Sequence, residues 1–352
     1  MKQTEKQVLP LFERFLRDTL KGRRLKTDGS RIKSQSTRNY MYVLKYLQEY
    51  ELKTATKLRV KLITGNNARI IMAEKKYWRK FYLGFTNFLY AQKGCFDNYV
   101  GTVIKVLRIF FKYINLEWGM KTGEFYRQFY VCKEDIPVIS LRPDQLQFLI
   151  NDKAFETKLS ASLKKTKDIL VFGCTVALRV SDLFSIKFND IERVGDTYYL
   201  PVKTIKTGTI VRIKLPRYAM EIVEIFKNAA KKRKQVFPPI PRTRFNSQLK
   251  QLALLAGWTA ETGKYRNRRG VAIEETLGNE RSTFRFCDQM SSHIMRRTAI
   301  TVMLMMGMKE HIVRQISGHA AGSKSFYRYV NLVQSYIDNE MDAVFDRLAN
   351  AV

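Results

Sequence analysis

The sequence is poor in acidic residues. Only 32 of its 352 residues are Asp or Glu, against 63 that are Lys or Arg, and the formal net charge is +31. Such an excess of one sign destabilises a folded chain by self-repulsion unless a polyanion neutralises it. Nucleic acid is the first expected partner and an anionic membrane surface the second. Because the basic residues are spread over several separate segments, and not concentrated on one amphipathic helix, the pattern favours nucleic acid.

Long apolar runs and paired cysteines are also missing. No segment approaches the ~18 apolar residues that a membrane-spanning helix needs, and the first residues lack the apolar stretch of a secretion signal. The four cysteines, at positions 95, 132, 174 and 287, are widely spaced and form no CxxC pair. This spacing argues against a disulfide framework or a zinc site and predicts a cytoplasmic protein, associated with the nucleoid if the partner is DNA.

Before residue 132, apolar residues recur at helical spacing. Stripes at 8–20, 40–47, 78–89 and 100–114 predict four helices with buried apolar faces and basic outer faces. The hydrophobic content of 45% is enough for real cores. Between the first two stripes, the loop at 21–33 carries six basic residues and one acidic residue. This composition suits a solvated loop and a phosphate-contacting loop equally.

Residues 132–143 interrupt the helical pattern with two prolines and predict a linker between two domains. An N-terminal domain is expected at 1–131 and a C-terminal domain at 144–352.

In the second domain, the segment 163–186 is predicted to be a long buried helix followed by a turn. Two β-strands, rich in Tyr and β-branched residues, are predicted at 197–202 and 209–215. Further helices are predicted at 218–232, 245–256, 291–306, 308–317 and, with an acidic face, at 331–349. The predicted fold class is mainly α: a helical domain followed by a mixed, mostly helical domain with a small β-sheet.

All three histidines of the chain lie between residues 293 and 319. His293 and Arg296 are three residues apart, so they share one face of a predicted helix, with Cβ atoms about 5–6 Å apart. Gly307 and Gly318 are placed to end two consecutive helices, and His319 directly follows the second end. Each feature alone is weak, because an H-x-x-R pair is more often a surface pair than a site. Their combination in one short segment indicates a functional site.

This segment resembles the C-terminal signature of the tyrosine recombinases, which include the phage-type integrases and the Xer-like recombinases. That signature is an H-x-x-R helix, then Gly-His, then a tyrosine. It is matched here by His293 and Arg296, by Gly318-His319, and by Tyr327 or Tyr329.

Two further family motifs occur upstream in the expected order. The sequence ALRVSDL at 177–183 matches the arginine motif of the family and contains Arg179, and Lys206-Thr207-Gly208 on the predicted hairpin matches the lysine motif. The resemblance covers 140–330 densely and the N-terminal part only as a helical, basic core-binding domain. The segments FNSQLKQLALLAGW and RRTAIT are similar to segments of integrases from Bacteroidetes mobile elements.

The resemblance implies a catalytic set that breaks and rejoins a DNA phosphodiester. Two arginines would hold the phosphate oxygens as bidentate forks, and a tyrosine would attack phosphorus to form a covalent 3′-phosphotyrosyl intermediate. A lysine would protonate the leaving 5′-oxygen, and the histidines would assist proton transfer or bind the phosphate. Neither a metal ion nor a nucleotide cofactor is needed, because the phosphotyrosyl bond conserves the bond energy. The implied catalytic residues are Arg179, Lys206, His293, Arg296, His319 and Tyr329.

The nucleophile is either Tyr327 or Tyr329. The family usually places its tyrosine about nine residues after the Gly-His histidine, and these two lie eight and ten residues after it. The local sequence from Lys324 to Val330 matches the family pattern K-[ST]-x-x-x-Y with Tyr329 at its end. We therefore predict Tyr329 as the nucleophile and keep Tyr327 as the alternative.

The expected partner is double-stranded DNA. Basic residues outside the catalytic motifs would follow its phosphates without reading its sequence. The predicted DNA-binding residues are Arg23, Arg24, Lys26, Arg31, Lys33, Arg242, Arg244, Arg266, Arg268 and Arg269. The resemblance also implies a homotetramer on two synapsed DNA sites, a Holliday junction intermediate and room for an accessory DNA-bending protein. The acidic helix at 331–349 would dock on its own domain or on a neighbouring protomer.

The sequence is also compatible with two other functions. A type IB topoisomerase uses a similar set of Arg, Lys and Tyr without synapsis, and the acidic C-terminal helix argues against it. The second is a DNA-binding architectural protein with an inactive site, although none of the six catalytic positions has lost its residue type. The sequence does not distinguish integrase, resolvase and invertase activities.

Overall fold

The computed structural model describes most of the chain. The described residues are 5–63, 68–203, 210–278, 282–320, 322–330, 333, 338, 341–342 and 345–346. Residue contacts divide the chain into two units: Met1–Ile136 with Tyr265–Glu274, and Pro137–Lys264 with Glu275–Val352. The break after residue 136 lies inside the predicted linker, whereas the sequence-based division placed 265–274 in the second domain.

The first unit is built from helices that bury one apolar face, as the four stripes predict. Among the described residues before 117, its elements are β1 (Glu5–Gln7), α1 (Val8–Leu20), α2 (Ser34–Thr54), β2 (Arg59–Lys61), α3 (Ala68–Ala91) and α4 (Asp97–Leu116). Strands β1 and β2 pair antiparallel. Aromatic rings fill the core: Trp78 stacks on Phe125 with ring centroids 4.5 Å apart and meets Phe111 edge-on at 4.8 Å. Each such pair adds about 0.5–1.5 kcal/mol beyond the area it buries.

Between residues 137 and 264, the second unit combines short helices with one small sheet. Its described elements are α5 (Pro143–Asn151), α6 (Lys153–Thr157), α7 (Ala161–Val176), α8 (Val180–Leu183), β3 (Glu192–Val194), β4 (Thr197–Lys203), β5 (Ile210–Leu215), α9 (Arg217–Asn228) and α10 (Arg242–Leu255). The strands form an antiparallel sheet in the order β3-β4-β5. Strands β4 and β5 are the predicted pair. Strand β3 is not predicted, because it has three residues and all of them are exposed.

The segment predicted as a long buried helix followed by a turn, 163–186, contains most of α7, a turn and the short α8. Helix α7 ends at Val176, Ala177 adopts the left-handed conformation with φ of 55°, and the helical path restarts only after Arg179. A left-handed Ala costs about 1–2 kcal/mol, and no Gly or Pro after position 173 signals the break. The carbonyl oxygen of Ala177 accepts a hydrogen bond from Arg296 at 2.9 Å, and this contact stabilises the turn.

Two strands that the sequence does not predict form a hairpin within the first unit. Strand β6 (Tyr265–Arg268) pairs antiparallel with β7 (Val271–Glu274). The two loop residues between them, Arg269 and Gly270, have positive φ angles of 56° and 79°, the type I′ geometry that matches the twist of a hairpin. The sequence pattern shows only a basic run here, because neither strand contributes a fully buried residue.

Two buried carboxylates hold this hairpin in the first unit. Asp97, the first residue of α4, accepts the backbone N–H groups of the two loop residues at 2.8 and 2.9 Å. Glu134 accepts two N–H groups from the Arg266 guanidinium, the shorter at 2.6 Å, and the backbone N–H of Asn267. Both carboxylates are at most 5% exposed, so the hairpin strands supply the hydrogen-bond donors that these buried charges require.

We expect Glu134→Gln to lower the free energy of unfolding by about 2 kcal/mol, the loss typical of hydrogen bonds to a charged group. Burial alone would raise the pKa of Glu134, but the bonds from Arg266 and Asn267 outweigh it and hold the pKa below its ordinary value. The ionised carboxylate therefore stabilises the fold above an unfolded-state pKa of about 4.3, and this contribution disappears as the pH falls through the lower folded-state pKa.

Urea unfolding of the wild type and the variant at pH 7 and at pH 3 measures this effect. The difference between the two proteins should narrow at pH 3. Glu124→Gln is the matched control, since Glu124 forms an exposed ion pair with Arg127. Equal losses for the two variants at pH 7 would contradict the role assigned to Glu134.

After the hairpin, the second unit continues with β8 (Thr276–Leu277), β9 (Ser282–Thr283), α11 (His293–Met305), α12 (Glu310–Ile316) and α13 (Lys324–Val330). Helices α11 and α12 correspond to the predicted helices at 291–306 and 308–317. Gly307 and Gly318 end them as predicted: both have positive φ, and the residue after each donates a backbone hydrogen bond to the last turn, as in a Schellman motif. Lys206 lies outside the described residues, as does most of the helix predicted at 331–349.

Helix α7 is the centre of the second unit. Eleven of its sixteen residues are buried, and it packs against α5, α9, α10 and α11. Gly173 lets α11 approach closely, because a Cβ atom at this position would overlap the Met295 side chain. The contact between α7 and α11 sets the positions of the segments that carry Arg179 and Arg296.

The mainly helical structure with small antiparallel sheets confirms the predicted fold class. None of the described helices is long and apolar enough to cross a membrane.

Candidate active site

Arg179 lies at the turn between α7 and α8. Its backbone is extended, with φ of −70° and ψ of 150°, and it precedes the first residue of α8. Its Nη1 atom is buried and has no hydrogen-bond partner among the described residues. Because a buried donor without an acceptor costs about 1–3 kcal/mol or more, this group is suited to an acceptor that enters from outside the chain.

Arg296 connects three segments of the second unit. It lies on α11 and is only 6% exposed. Its Nη1 donates to the carbonyl oxygen of Ala177 at 2.9 Å, and its Nη2 lies 3.1 Å from Nε2 of His319. One guanidinium therefore ties the turn after α7 to α11 and to the loop after α12.

His319 is placed by the end of α12. Its backbone N–H donates to the carbonyl oxygen of Arg314 at 3.0 Å, and the left-handed Gly318, with φ of 61°, turns the chain just before it. The ring is half-buried and packs edge-on against Phe326, with centroids 5.4 Å apart. The helix end thus directs the imidazole toward Arg296.

The cluster is electropositive. Burial lowers the pKa of Arg296 to about 10, and the charge of Arg179 acts in the same direction, while Tyr329 and the buried Asp182 oppose it. Burial also lowers the pKa of His319 to about 3, and both arginines act in the same direction. At neutral pH the Arg296 guanidinium is therefore charged and the His319 imidazole is neutral. A bound anion would relieve the repulsion between the arginines.

The structure separates the two candidate tyrosines. Tyr329 lies on α13, is half-buried, and has its ring centroid 6.0 Å from that of His319. Its interaction with Arg296 is part of the electrostatics of the cluster. Tyr327 is 41% exposed, since residues two positions apart on a helix point to different faces. Of the two, Tyr329 is the one that faces the basic cluster.

The other two predicted catalytic residues are His293 and Lys206. His293 is the exposed first residue of α11, one turn before Arg296. Lys206 lies outside the described residues, between β4 and β5. The described structure therefore brings together four of the six predicted residues: Arg179, Arg296, His319 and Tyr329.

Most of the predicted phosphate-contacting residues are exposed. The seven exposed ones are Arg23, Lys26, Arg31, Lys33, Arg242, Arg244 and Arg269. Arg269 and the three half-buried ones also have contacts within the first unit. Arg24 lies over the Phe15 ring at 4.6 Å, Arg266 binds Glu134, Arg268 donates to the carbonyl oxygen of Gly94, and Arg269 donates to Asn87.

A groove of about 650 Å³ lies between the end of α1 and the first half of α2 in the first unit. Arg31, Arg38 and Lys45 line it beside Met41 and Tyr42, which are about half exposed. Arg38 and Lys45 are not among the DNA-binding residues predicted from the sequence. The two residues are seven positions apart, a spacing that places both on one face of α2. This spacing could have predicted a basic helix face.

Sequence reasoning also missed two groups that shape the catalytic cluster. One is the main-chain oxygen of Ala177, which no side-chain motif can reveal. The other is Ser317, whose Oγ lies 2.7 Å from Nδ1 of His319. The sequence Ser-Gly-His could have predicted this contact, because a hydroxyl two residues before a histidine at a helix end can reach the ring.

Two arginines, one imidazole and one phenol around a common point can bind a tetrahedral anion and present a nucleophilic oxygen to it. The guanidinium groups offer planar pairs of donors for phosphate oxygens. The neutral imidazole can accept or donate one hydrogen bond, and the phenol can form a covalent bond. This is the donor set expected for attack on a phosphodiester.

Comparison with known proteins agrees with this chemistry. The model of the phage integrase family matches residues 140–335, which is more than half of the chain and contains all six predicted catalytic residues. A comparison with curated proteins finds no match.

Solved structures share the fold. A lambda integrase tetramer bound to a Holliday junction matches with a TM-score of 0.57 and 15% identity, over 91% of this chain and 79% of that one. XerH recombinase in a post-cleavage complex with a palindromic difH substrate matches with a TM-score of 0.60 and 13% identity, over 96% of both chains. The integrase of transposon Tn1549 with transposon right-end DNA matches with a TM-score of 0.58 and 14% identity, over 98% of this chain and all of that one.

Proposed function

The chain belongs to the phage integrase family and is a site-specific recombinase, and on that premise we propose that it cuts and rejoins duplex DNA through a covalent 3′-phosphotyrosyl intermediate. The observation that carries this proposal is the convergence of Arg179, Arg296, His319 and Tyr329. These residues come from four separate segments of the second unit, and their side chains meet around one electropositive point.

In the proposed reaction the phenol oxygen of Tyr329 attacks the phosphorus of a phosphodiester. A bond from phosphorus to Tyr329 forms, the bond to the 5′-oxygen breaks, and the phosphate stays on the 3′-oxygen. The phenol loses its proton with the assistance of His293, and the leaving 5′-oxygen takes a proton from Lys206. Because one phosphate ester replaces another, the reverse attack by a 5′-hydroxyl rejoins a strand without ATP.

The arginines stabilise the charge that develops on the phosphate oxygens. Arg179 has a buried donor without a partner among the described residues, and Arg296 is held by Ala177 and His319. Donors that are already oriented in a partly buried site stabilise a transition state at little reorganisation cost. The pKa of Arg296, about 10, leaves it charged at neutral pH.

DNA is the proposed partner of the basic surfaces. We assign phosphate contacts to the exposed basic residues of the loop between α1 and α2, to Arg242 and Arg244 at the start of α10, and to the groove that contains Arg38 and Lys45. Arg24, Arg266, Arg268 and Arg269 would position the loop and the hairpin and reach phosphates with their remaining donors. Binding through many phosphates should weaken steeply as salt rises.

The proposed assembly is a homotetramer that joins two DNA sites through a Holliday junction, with or without an accessory DNA-bending protein, on nucleoid DNA. The solved lambda integrase tetramer on a Holliday junction supports this assembly. In the acidic C-terminal segment, Met341 and Phe345 expose about half of their surface, as expected of residues that dock on a neighbouring protomer.

A nicked suicide duplex that carries the DNA flanking the gene tests the chemistry. The nick lets the cut fragment diffuse away, so the protein should remain covalently attached and migrate with the DNA on a denaturing gel. Attachment should persist in EDTA, because a tyrosine nucleophile needs no metal-bound water. A strict requirement for Mg²⁺ would contradict the phosphotyrosine route.

A plasmid with two copies of the same site separates recombination from topoisomerase activity. A recombinase should yield exchanged products and Holliday junctions that depend on both sites. Relaxation of supercoils without exchange would favour the type IB topoisomerase, and binding without any cleavage would favour an architectural protein.

A further inference from the structure

A buried serine supports the imidazole of the active site. Ser317 is the last residue before the left-handed Gly318 and is 1% exposed. Its Oγ lies 2.7 Å from Nδ1 of His319 and 3.2 Å from the carbonyl oxygen of Arg314. The hydroxyl is therefore shared between the histidine ring and the last turn of α12.

The hydrogen bonds around the ring favour one arrangement of protons in the DNA-free protein. The Ser317 hydroxyl donates to the carbonyl oxygen of Arg314 at 3.2 Å. The guanidinium of Arg296 can only donate, and its Nη2 lies 3.1 Å from Nε2 and 3.3 Å from Nδ1 of His319. Because Oγ of Ser317 lies 2.7 Å from Nδ1, we assign the closer Nε2 as the acceptor for Arg296 and Nδ1–H as the donor to Oγ.

A phosphate in the site changes these requirements. Phosphate oxygens accept hydrogen bonds, so a neutral imidazole can bind them only through an N–H group on the side that faces the site. We assign that side to Nε2, because Ser317 contacts the other ring nitrogen, Nδ1. With the proton on Nε2, Nδ1 becomes an acceptor, and the Ser317 hydroxyl must turn from the Arg314 carbonyl to donate to the ring. A hydroxyl can make this change by rotation about one bond.

We propose that Ser317 is a positioning residue that allows His319 to exchange its tautomer when a phosphate binds, from Nδ1–H in the free protein to Nε2–H in the occupied site. One proton leaves Nδ1 to solvent water and one is taken up from solvent at Nε2, so the charge of the ring does not change. The inference rests on the proposed function only in placing the phosphate beside His319. In the DNA-free protein, burial and the two arginines lower the pKa of His319 to about 3, so the ring is neutral at neutral pH.

The small number of histidines makes the tautomer measurable. With only three histidines in the chain, ring-¹⁵N histidine labelling gives three sets of signals, and His319→Gln identifies the set of His319. In the free wild type, His319 should show a protonated Nδ1. Ser317→Ala should give a mixture of tautomers, and Ser317→Thr, which keeps the hydroxyl, should restore the Nδ1–H form. An Nε2–H ring in the free wild type, or an unchanged tautomer in Ser317→Ala, would overturn the proposal.

Inorganic phosphate is the probe for the occupied site, and the ³¹P line width shows when it is bound. At saturation, the wild-type His319 signals should change to those of Nε2–H. Signals that keep the Nδ1–H form at saturation would overturn the tautomer exchange. Phosphate that does not bind would contradict the proposed function, while the free-protein spectra would still decide whether Ser317 orients the ring.

The suicide duplex adds a catalytic readout. Ser317→Ala should slow covalent attachment about 10-fold, the order expected for one lost hydrogen bond, with unchanged affinity for DNA. Ser317→Thr should recover most of that rate. Ser323→Ala is the matched control, because Ser323 is a serine of the next loop that bonds only Ser325 through its side chain among the described residues. Equal rates for wild type and Ser317→Ala would overturn the catalytic part of the inference.

Discussion

Tyr329→Phe should abolish covalent attachment to DNA while leaving DNA affinity within about twofold of the wild type. The substitution removes the attacking oxygen and no other atom, so the chemical step has no nucleophile. The ring should remain in place, because it packs near His319 and Phe326, with centroids 6.0 and 6.4 Å away. The suicide duplex on a denaturing gel measures attachment, and a gel shift at constant salt measures affinity.

Tyr327→Phe is the matched control, since Tyr327 lies on the same short helix and is largely exposed. Its attachment rate should equal that of the wild type. If Tyr327→Phe loses the adduct and Tyr329→Phe keeps it, the nucleophile has been assigned to the wrong tyrosine. If both variants keep it, another residue is the nucleophile.

Arg296→Lys should reduce the single-turnover rate of attachment by about 10²–10³-fold, as for the loss of an oriented transition-state donor. Lysine keeps the positive charge but has one compact ammonium in place of a planar fork. It cannot reach both the Ala177 carbonyl and the His319 ring, which Arg296 contacts at 2.9 and 3.1 Å. The buried carbonyl of Ala177 would then lack its donor, so stability should fall by about 1–3 kcal/mol as well.

Arg297→Lys is the matched control, since Arg297 is the next residue on α11 and is half-buried. Its attachment rate should stay within a few-fold of the wild type. To separate chemistry from folding, the rate is measured at a temperature where urea unfolding shows Arg296→Lys to be fully folded. A wild-type rate for Arg296→Lys under that condition would remove Arg296 from the active site.

The parts of the fold that follow from local rules could be predicted from the sequence. The apolar stripes around Trp78 and Phe111 specify helices because the spacing of buried residues repeats with the helical period. Gly307 and Gly318 mark helix ends because few other residues adopt the left-handed conformation without strain. The order of the motif residues also indicated one catalytic site, and four of the six lie together in the described structure.

The parts that depend on distant residues could not be predicted. The left-handed Ala177 is stabilised by Arg296, 119 positions later, and alanine itself carries no turn signal. The hairpin of β6 and β7 has no buried face, and its partners Asp97 and Glu134 lie more than 130 positions away. Ser317 matters through a single hydrogen bond to a neighbouring ring, which no periodic pattern encodes.

The hairpin has a consequence for how the chain folds during synthesis. Gly270 donates its N–H to Asp97 across 173 positions of sequence, so the first unit lacks a part of its structure until residue 274 has left the ribosome. Until then, the carboxylates of Asp97 and Glu134 have no donors from the hairpin and must stay hydrated. Domains usually fold one after another from the N-terminus. In this chain, the first unit can be completed only after most of the second has been synthesised, and a fragment that ends at residue 136 would lack the strands that its buried charges require.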